Sequence, residues 1–239
     1  MFATESLLIV GIFCVSSVLS EKAVCDFSDS KCLTKAAGLT FEQFIDGIPG
    51  VQSSEPLYQK VIEAKLPTLY YKFTDAKLSG MKKCKVELVK ISTKDHKYDY
   101  HIGCPLLTLE AGYELNGDLG PQHVEGKGDS KIEYYDYHFF FSGDYLVKEG
   151  KEGQSHLSLK THTLKVHPNG NVVYDFKNLF DGDKEKSVAA HKWANENSNL
   201  VEKDWSGQDT MDAFMTNFID NFNDYLNTKS VQELYSYEK

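Results

Sequence analysis

Apolar and polar positions follow two different rhythms along this chain. From Leu66 to Phe176 they alternate, as in Leu69, Tyr71 and Phe73, in Val86 and Leu88, in Leu107 and Leu109, and in Leu157 and Leu159. A period of two predicts strands with one buried face. Turn signals fall at Ser79-Gly80, Lys94-Asp95, Asn116-Gly117-Asp118, Gly126-Lys127-Gly128-Asp129, Ser142-Gly143-Asp144 and Pro168-Asn169-Gly170, so the strands read as an antiparallel meander without parallel βαβ units. After Asp183, an expected N-cap, the period becomes 3.6. Ala190, Trp193, Ala194, Leu200, Val201 and Trp205 form one helical stripe. Ser206-Gly207 interrupts it, and Met211, Phe214, Met215, Phe218, Ile219, Phe222, Tyr225 and Leu226 form a second. An earlier helix is expected over Ser30 to Ile48, on Leu33, Ala37, Phe41, Phe44, Ile45 and Ile48, with Gly47-Ile48-Pro49-Gly50 stopping it. The segment Val173 to Lys186 is thus the junction between β-type and α-type sequence.

Residues 1–20 read as a secretory signal peptide. Leu7 to Val15 is apolar but too short to span a bilayer, and Val18 and Ser20 suit cleavage after Ser20. A secreted product of 219 residues (239 minus 20) is expected to form a single domain, residues 21–239, with no stable membrane insertion. Loss of Glu5 takes the formal charge from −9 to −8. An acidic surface without a basic cluster argues against nucleic-acid binding. Cys25, Cys32, Cys84 and Cys104 remain after cleavage, allowing three disulfide pairings. Cys25 and Cys32 enclose a small loop. A hairpin centred on Lys94 sets residue 84 opposite 104, which makes a cross-strand bond natural. The cysteines lack CxxC spacing and the histidines HxxxH spacing, so a zinc site is not expected.

No nucleophile elbow, phosphate-binding loop, dinucleotide fingerprint or HExxH occurs. Neither catalysis nor a cofactor is expected, and the eight histidines read as surface or hydrogen-bonded groups. The unusual feature is Tyr134-Tyr135-Asp136-Tyr137-His138-Phe139-Phe140-Phe141. Strict alternation sends Tyr135, Tyr137, Phe139 and Phe141 to one face, as either a filled core or the wall of an apolar cavity.

Several blocks in order resemble the insect takeout and juvenile hormone-binding protein family, over almost all of the mature sequence. They are Cys25 and Cys32 before a helix ending Gly47-Ile48-Pro49, then Ser54-Glu55-Pro56-Leu57, Tyr113-Glu114-Leu115-Asn116-Gly117, Gly126-Lys127-Gly128, Phe176-Lys177-Asn178-Leu179-Phe180-Asp181-Gly182-Asp183-Lys184, Asn195-Glu196-Asn197 and Leu234-Tyr235. Glu55 stands where the family has Asp, and Cys84 and Cys104 are additional to its pattern. The resemblance implies an α+β fold in which a long C-terminal α-helix is wrapped by a strongly curved antiparallel sheet, enclosing an elongated apolar tunnel. It implies a carrier of a small hydrophobic ligand, such as a juvenile hormone-like terpenoid, a fatty acid or a quinone-like lipid. The residues expected to line the tunnel are Phe44, Tyr71, Phe73, Tyr137, Phe139, Phe141, Phe214, Phe218 and Phe222. The alternative is a secreted interaction module with a filled core, engaging a receptor or haemolymph protein.

Overall fold

The computed structural model describes residues 22–150, 153–204 and 207–238. The expected signal peptide, Trp205 and Ser206 lie outside them. Chain order is β1 (Lys22–Val24), α1 (Ser30–Ile45), β2 (Leu57–Lys65), β3 (Leu69–Ser79), β4 (Lys85–Ser92), β5 (Lys97–Leu119), β6 (Gln122–Glu149), β7 (Ser155–Leu159), β8 (Thr163–Pro168), β9 (Val172–Phe176), α2 (Lys184–Glu196), α3 (Ser198–Asp204), α4 (Gly207–Asn227), α5 (Val231–Leu234) and β10 (Ser236–Glu238). β2 to β9 form one antiparallel sheet in the order β2-β3-β5-β6-β7, with β4 also on β5 and β8 and β9 also on β6. β1 and β10 tie the two chain ends together.

The strands are fewer and longer than the turn signals imply. Asn116-Gly117-Asp118 lies inside β5, and Gly126-Lys127-Gly128-Asp129 and Ser142-Gly143-Asp144 lie inside β6. Their glycines serve close backbone approach instead of reversal. A Cβ on Gly143 would collide with the Thr161 carbonyl, and one on Gly117 with that of Thr68. The reversal between β5 and β6 is at Gly120-Pro121. β2 carries Leu57, Val61 and Ile62 without alternation, which is why period two begins too late in the sequence.

The Cys84–Cys104 disulfide is present, as is Cys25–Cys32. The β4–β5 hairpin turns over Thr93–His96 and pairs Ser92 with Lys97, one step out from a centre at Lys94. A bulge between Val86 and Leu88 takes up that step, so Lys85 faces Gly103 and the next positions are the two cysteines.

α4 packs against β2, β7 and β8. β2 and β7 are opposite ends of the main strand path, so the sheet curls around the helix without its edges pairing. Polar side chains of α4 satisfy the edges instead. Asn217 Nδ2 donates to the Tyr58 carbonyl (3.0 Å), Gln208 Nε2 to Leu164 (2.9 Å) and Asn223 Nδ2 to Leu159 (3.2 Å), while Asn223 Oδ1 accepts from the Leu159 N–H (2.8 Å). Asn223 so replaces a missing strand partner. Asn223→Ala strands both Leu159 groups, and urea denaturation should show a loss of about 1–3 kcal/mol.

The stripe from Met211 to Leu226 is buried along α4, with Phe222 partly so. Asp183 caps α2, accepting from the N–H groups of Glu185 and Lys186 at 3.1 Å. The upstream stripe is not one helix. It breaks at Asn197 into α2 and α3, burying Ala190, Ala194 and Val201 and leaving Leu200 exposed. Asn197 ends α2 by folding its amide back on the Trp193 carbonyl (2.8 Å). α1 ends at Ile45, three residues before the expected stop, where Gly47 takes a positive φ.

Candidate ligand site

Burial along β6 changes phase at one place. Tyr137, Phe139 and Phe141 point inward as alternation predicts, but so does Tyr134, while Tyr135 is exposed. The switch occurs at Asp136, whose φ of 48° is tolerated by a short polar side chain. Asp75 (φ 48°) does the same in β3, where Tyr71 and Phe73 before it and Ala76 and Leu78 after it are all buried. Such irregularities bend a strand and sharpen its twist, as a sheet wrapped around a helix requires.

The nine residues expected to line a tunnel converge in one core. On β6, Tyr137 lies 5.4 Å from Phe139 between ring centroids, and Phe139 lies 6.3 Å from Phe141. Phe141 meets Phe218 of α4 at 5.9 Å, and Phe218 meets Phe222 at 6.3 Å. Phe44 of α1 closes on both at 5.3 and 5.2 Å. Tyr71 and Phe73 lie side by side on β3 at 5.5 Å, and Tyr71 Oη is 3.2 Å from Thr210 Oγ1. Phe214 is fully buried.

Beyond this row, an apolar cavity of about 50 Å³ sits between α1, α4, α5 and strands β4 to β7. Phe141, Phe218 and Phe222 line it, whereas Phe44, Tyr71, Phe73, Tyr137, Phe139 and Phe214 pack behind them. A second cavity, of about 20 Å³, lies at the turn end of the β5–β6 hairpin, lined by Tyr174, Phe176, Leu179 and the α2 face around Ala190 and Ala194. Both lie against the aromatic core, the first beside Phe141, Phe218 and Phe222 and the second beside Tyr174 and Phe176.

Four tyrosines at the first cavity were not singled out from the sequence as lining, because each sits in an ordinary strand or tail context. Tyr98 donates to the Thr161 carbonyl (3.2 Å) and Tyr145 to that of Ser92 (3.4 Å). The hydroxyls of Tyr100 and Tyr235 have no hydrogen-bond partner among the described residues. Burial pushes both phenols well above the ordinary tyrosine range. They are polar atoms held unspent on an apolar wall, the arrangement that fixes the oxygen of a largely apolar ligand.

The other group that sequence reasoning missed is Glu202 on α3. Its carboxylate turns inward and accepts from Tyr174 Oη (2.7 Å) and Tyr137 Oη (3.3 Å). Burial pushes the carboxyl up to about 7, against the pull of those two hydroxyls. On the opposite sheet face, His138 bridges Glu87 and Asp136, each at 3.0 Å. Burial there disfavours the imidazolium, but the two carboxylates outweigh it and raise the pKa. No described helix is long and apolar enough to cross a membrane.

Residues 7–236 match the family described as Haemolymph juvenile hormone binding protein. A crystal structure of Takeout 1 from Epiphyas postvittana superposes with a TM-score of 0.83 at 24% identity, covering 88% of this chain and 97% of that one. Among curated proteins no sequence matches.

Proposed function

Because the chain belongs to the haemolymph juvenile hormone binding protein family, we propose that it is a secreted carrier for a small, largely apolar ligand of the terpenoid, fatty-chain or quinone type. The observation that carries the reading is the apolar cavity at the α1–α4–α5 end with the unspent hydroxyls of Tyr100 and Tyr235 on its wall. Two disulfides suit an oxidising compartment. Apolar burial at roughly 25 cal/mol per Å² drives such binding, and the hydroxyls orient the bound molecule. The role is one of binding and sequestration, not of turnover.

A cavity of about 50 Å³ has room for only a few water-sized centres. A longer ligand therefore enters by displacing Phe222 and Phe218, whose rings separate the cavity from the rest of the core. The same small volume favours a second reading, a filled core that carries no ligand.

One experiment decides between them. Protein secreted from insect cells is examined by native mass spectrometry before and after organic extraction, alongside an Ala37→Leu variant that fills the first cavity. The carrier reading expects an extractable lipid on the wild type and at least tenfold weaker rebinding by the variant at unchanged circular dichroism. A bare wild type that also binds no terpenoid or fatty chain would falsify it.

A further inference from the structure

Glu202 has no place in the first cavity, and an apolar core gains nothing from a buried carboxylate that has no cation paired with it among the described residues. Around it stand Tyr174 from β9, Tyr137 and Tyr134 from β6 and Tyr71 from β3. Tyr134 packs edge-on to Tyr137 at 5.1 Å and is 2% exposed. Its hydroxyl has no hydrogen-bond partner among the described residues, in a protein where Tyr71, Tyr137 and Tyr174 each have one. A buried hydroxyl left unpaired is costly unless something else completes it.

The aromatic row joins this cluster to the first cavity through Tyr137, Phe139, Phe141, Phe218 and Phe222, ending 5.9 Å from Tyr100. Along β6, Tyr137 and Tyr145 are eight positions apart, roughly 26 Å at about 3.3 Å per residue. A chain lying on that row has a polar station at each end.

We propose that Glu202 and Tyr134 form the second station, a site for the terminal hydroxyl of a long apolar alcohol. The hydroxyl donates to the Glu202 carboxylate and accepts from Tyr134 Oη. An ester at the same place can only accept, and so uses Tyr134 alone. A free carboxylate faces a like charge in a low-dielectric setting and is turned away. This rests on the carrier reading and adds to it a ligand class and a basis for selectivity.

Selectivity should weaken on acidification, because Glu202 is the member of the cluster that titrates. The four surrounding phenols are all raised by burial and stay neutral. Asp209 of α4 acts on Tyr71 as a further negative charge, and Lys203, next to Glu202 on α3, is exposed.

The test titrates delipidated wild type and Glu202→Gln with hexadecanol, methyl hexadecanoate and hexadecanoate, by displacement of a fluorescent fatty probe at pH 8 and pH 6. At pH 8 the wild type should bind the alcohol best, the ester less well, and the acid at least about tenfold more weakly than the alcohol. The alcohol-to-acid ratio should narrow at pH 6 and nearly vanish in Glu202→Gln at both pH values. Equal binding of alcohol and acid by the wild type at pH 8 overturns the assignment while leaving the carrier intact. Failure of all three to bind overturns the assignment, and the carrier reading falls with it when the wild type also binds no terpenoid. Should Glu202→Gln not fold, the wild-type ratio at the two pH values still decides, a pH-independent ratio counting against the proposal.

Discussion

Replacing Phe218 with alanine is expected to cost about 3–5 kcal/mol of stability, near the top of the range for a single core truncation. Phe218 is 2% exposed and touches Phe41, Phe44, Phe141 and Phe222, with ring centroids between 5.3 and 6.3 Å. It is where helices α1 and α4 and strand β6 meet, so the backbone around the lost ring is held from three sides and cannot collapse into the gap. The new space joins the first cavity, which Phe218 already lines. An apolar ligand should therefore restore more stability to this variant than it adds to wild type, because it binds only the folded form. Urea denaturation with and without hexadecanol measures both effects. A loss below about 1 kcal/mol would mean the core relaxes freely, and the rigid-wall account would be wrong.

The second large effect has the opposite sign. At pH 8, Glu202→Gln should be more stable than the wild type by about 2–3 kcal/mol. The folded-state value of about 7 lies above the ordinary 4.5, so the folded protein holds a proton more tightly than the unfolded chain. Stability linked to this group is fully present below 4.5 and is lost as pH rises to about 7. The glutamine variant lacks that loss, so the difference should shrink towards zero as the pH falls to 4. Paired thermal melts across that range show the trend directly, and parallel curves for the two proteins would sink it. A residue whose removal stabilises the fold is retained at a cost, which is the signature expected of a group kept for binding.

Much of this was legible in the residues. The stripe from Met211 to Leu226 could be only a helix buried along one side, and Asp183 announced where the helical half begins. The disulfide pairing of Cys84 with Cys104 also followed from counting, though only because the bulge near Glu87 cancelled an error of one in the turn. What could not be read was decided by distant partners. Gly117 and Gly143 look like turns because glycine serves both reversal and close approach, and only the positions of Thr68 and Thr161 show which applies. Asp136 looks like one polar residue among aromatics, yet it reverses which tyrosines face inward. Glu202 is indistinguishable by type from the many solvated carboxylates of an acidic chain. Its meaning lies in Tyr137 and Tyr174, each more than 25 positions away in sequence.

The pairing of β5 with β6 keeps one register from Leu119 opposite Gln122 to Lys97 opposite Asp144. Each new pair in such a hairpin lengthens the closed loop only slightly, so it can zip outward from Gly120-Pro121 at little entropic cost per step. The remaining strands and α4 must then find their places on this template across much longer separations. Assembly is expected to start at the turn and to finish where α4, α5 and the two chain ends come together. The first cavity is then expected to close last, which would leave its lining open to lipid for most of the folding path.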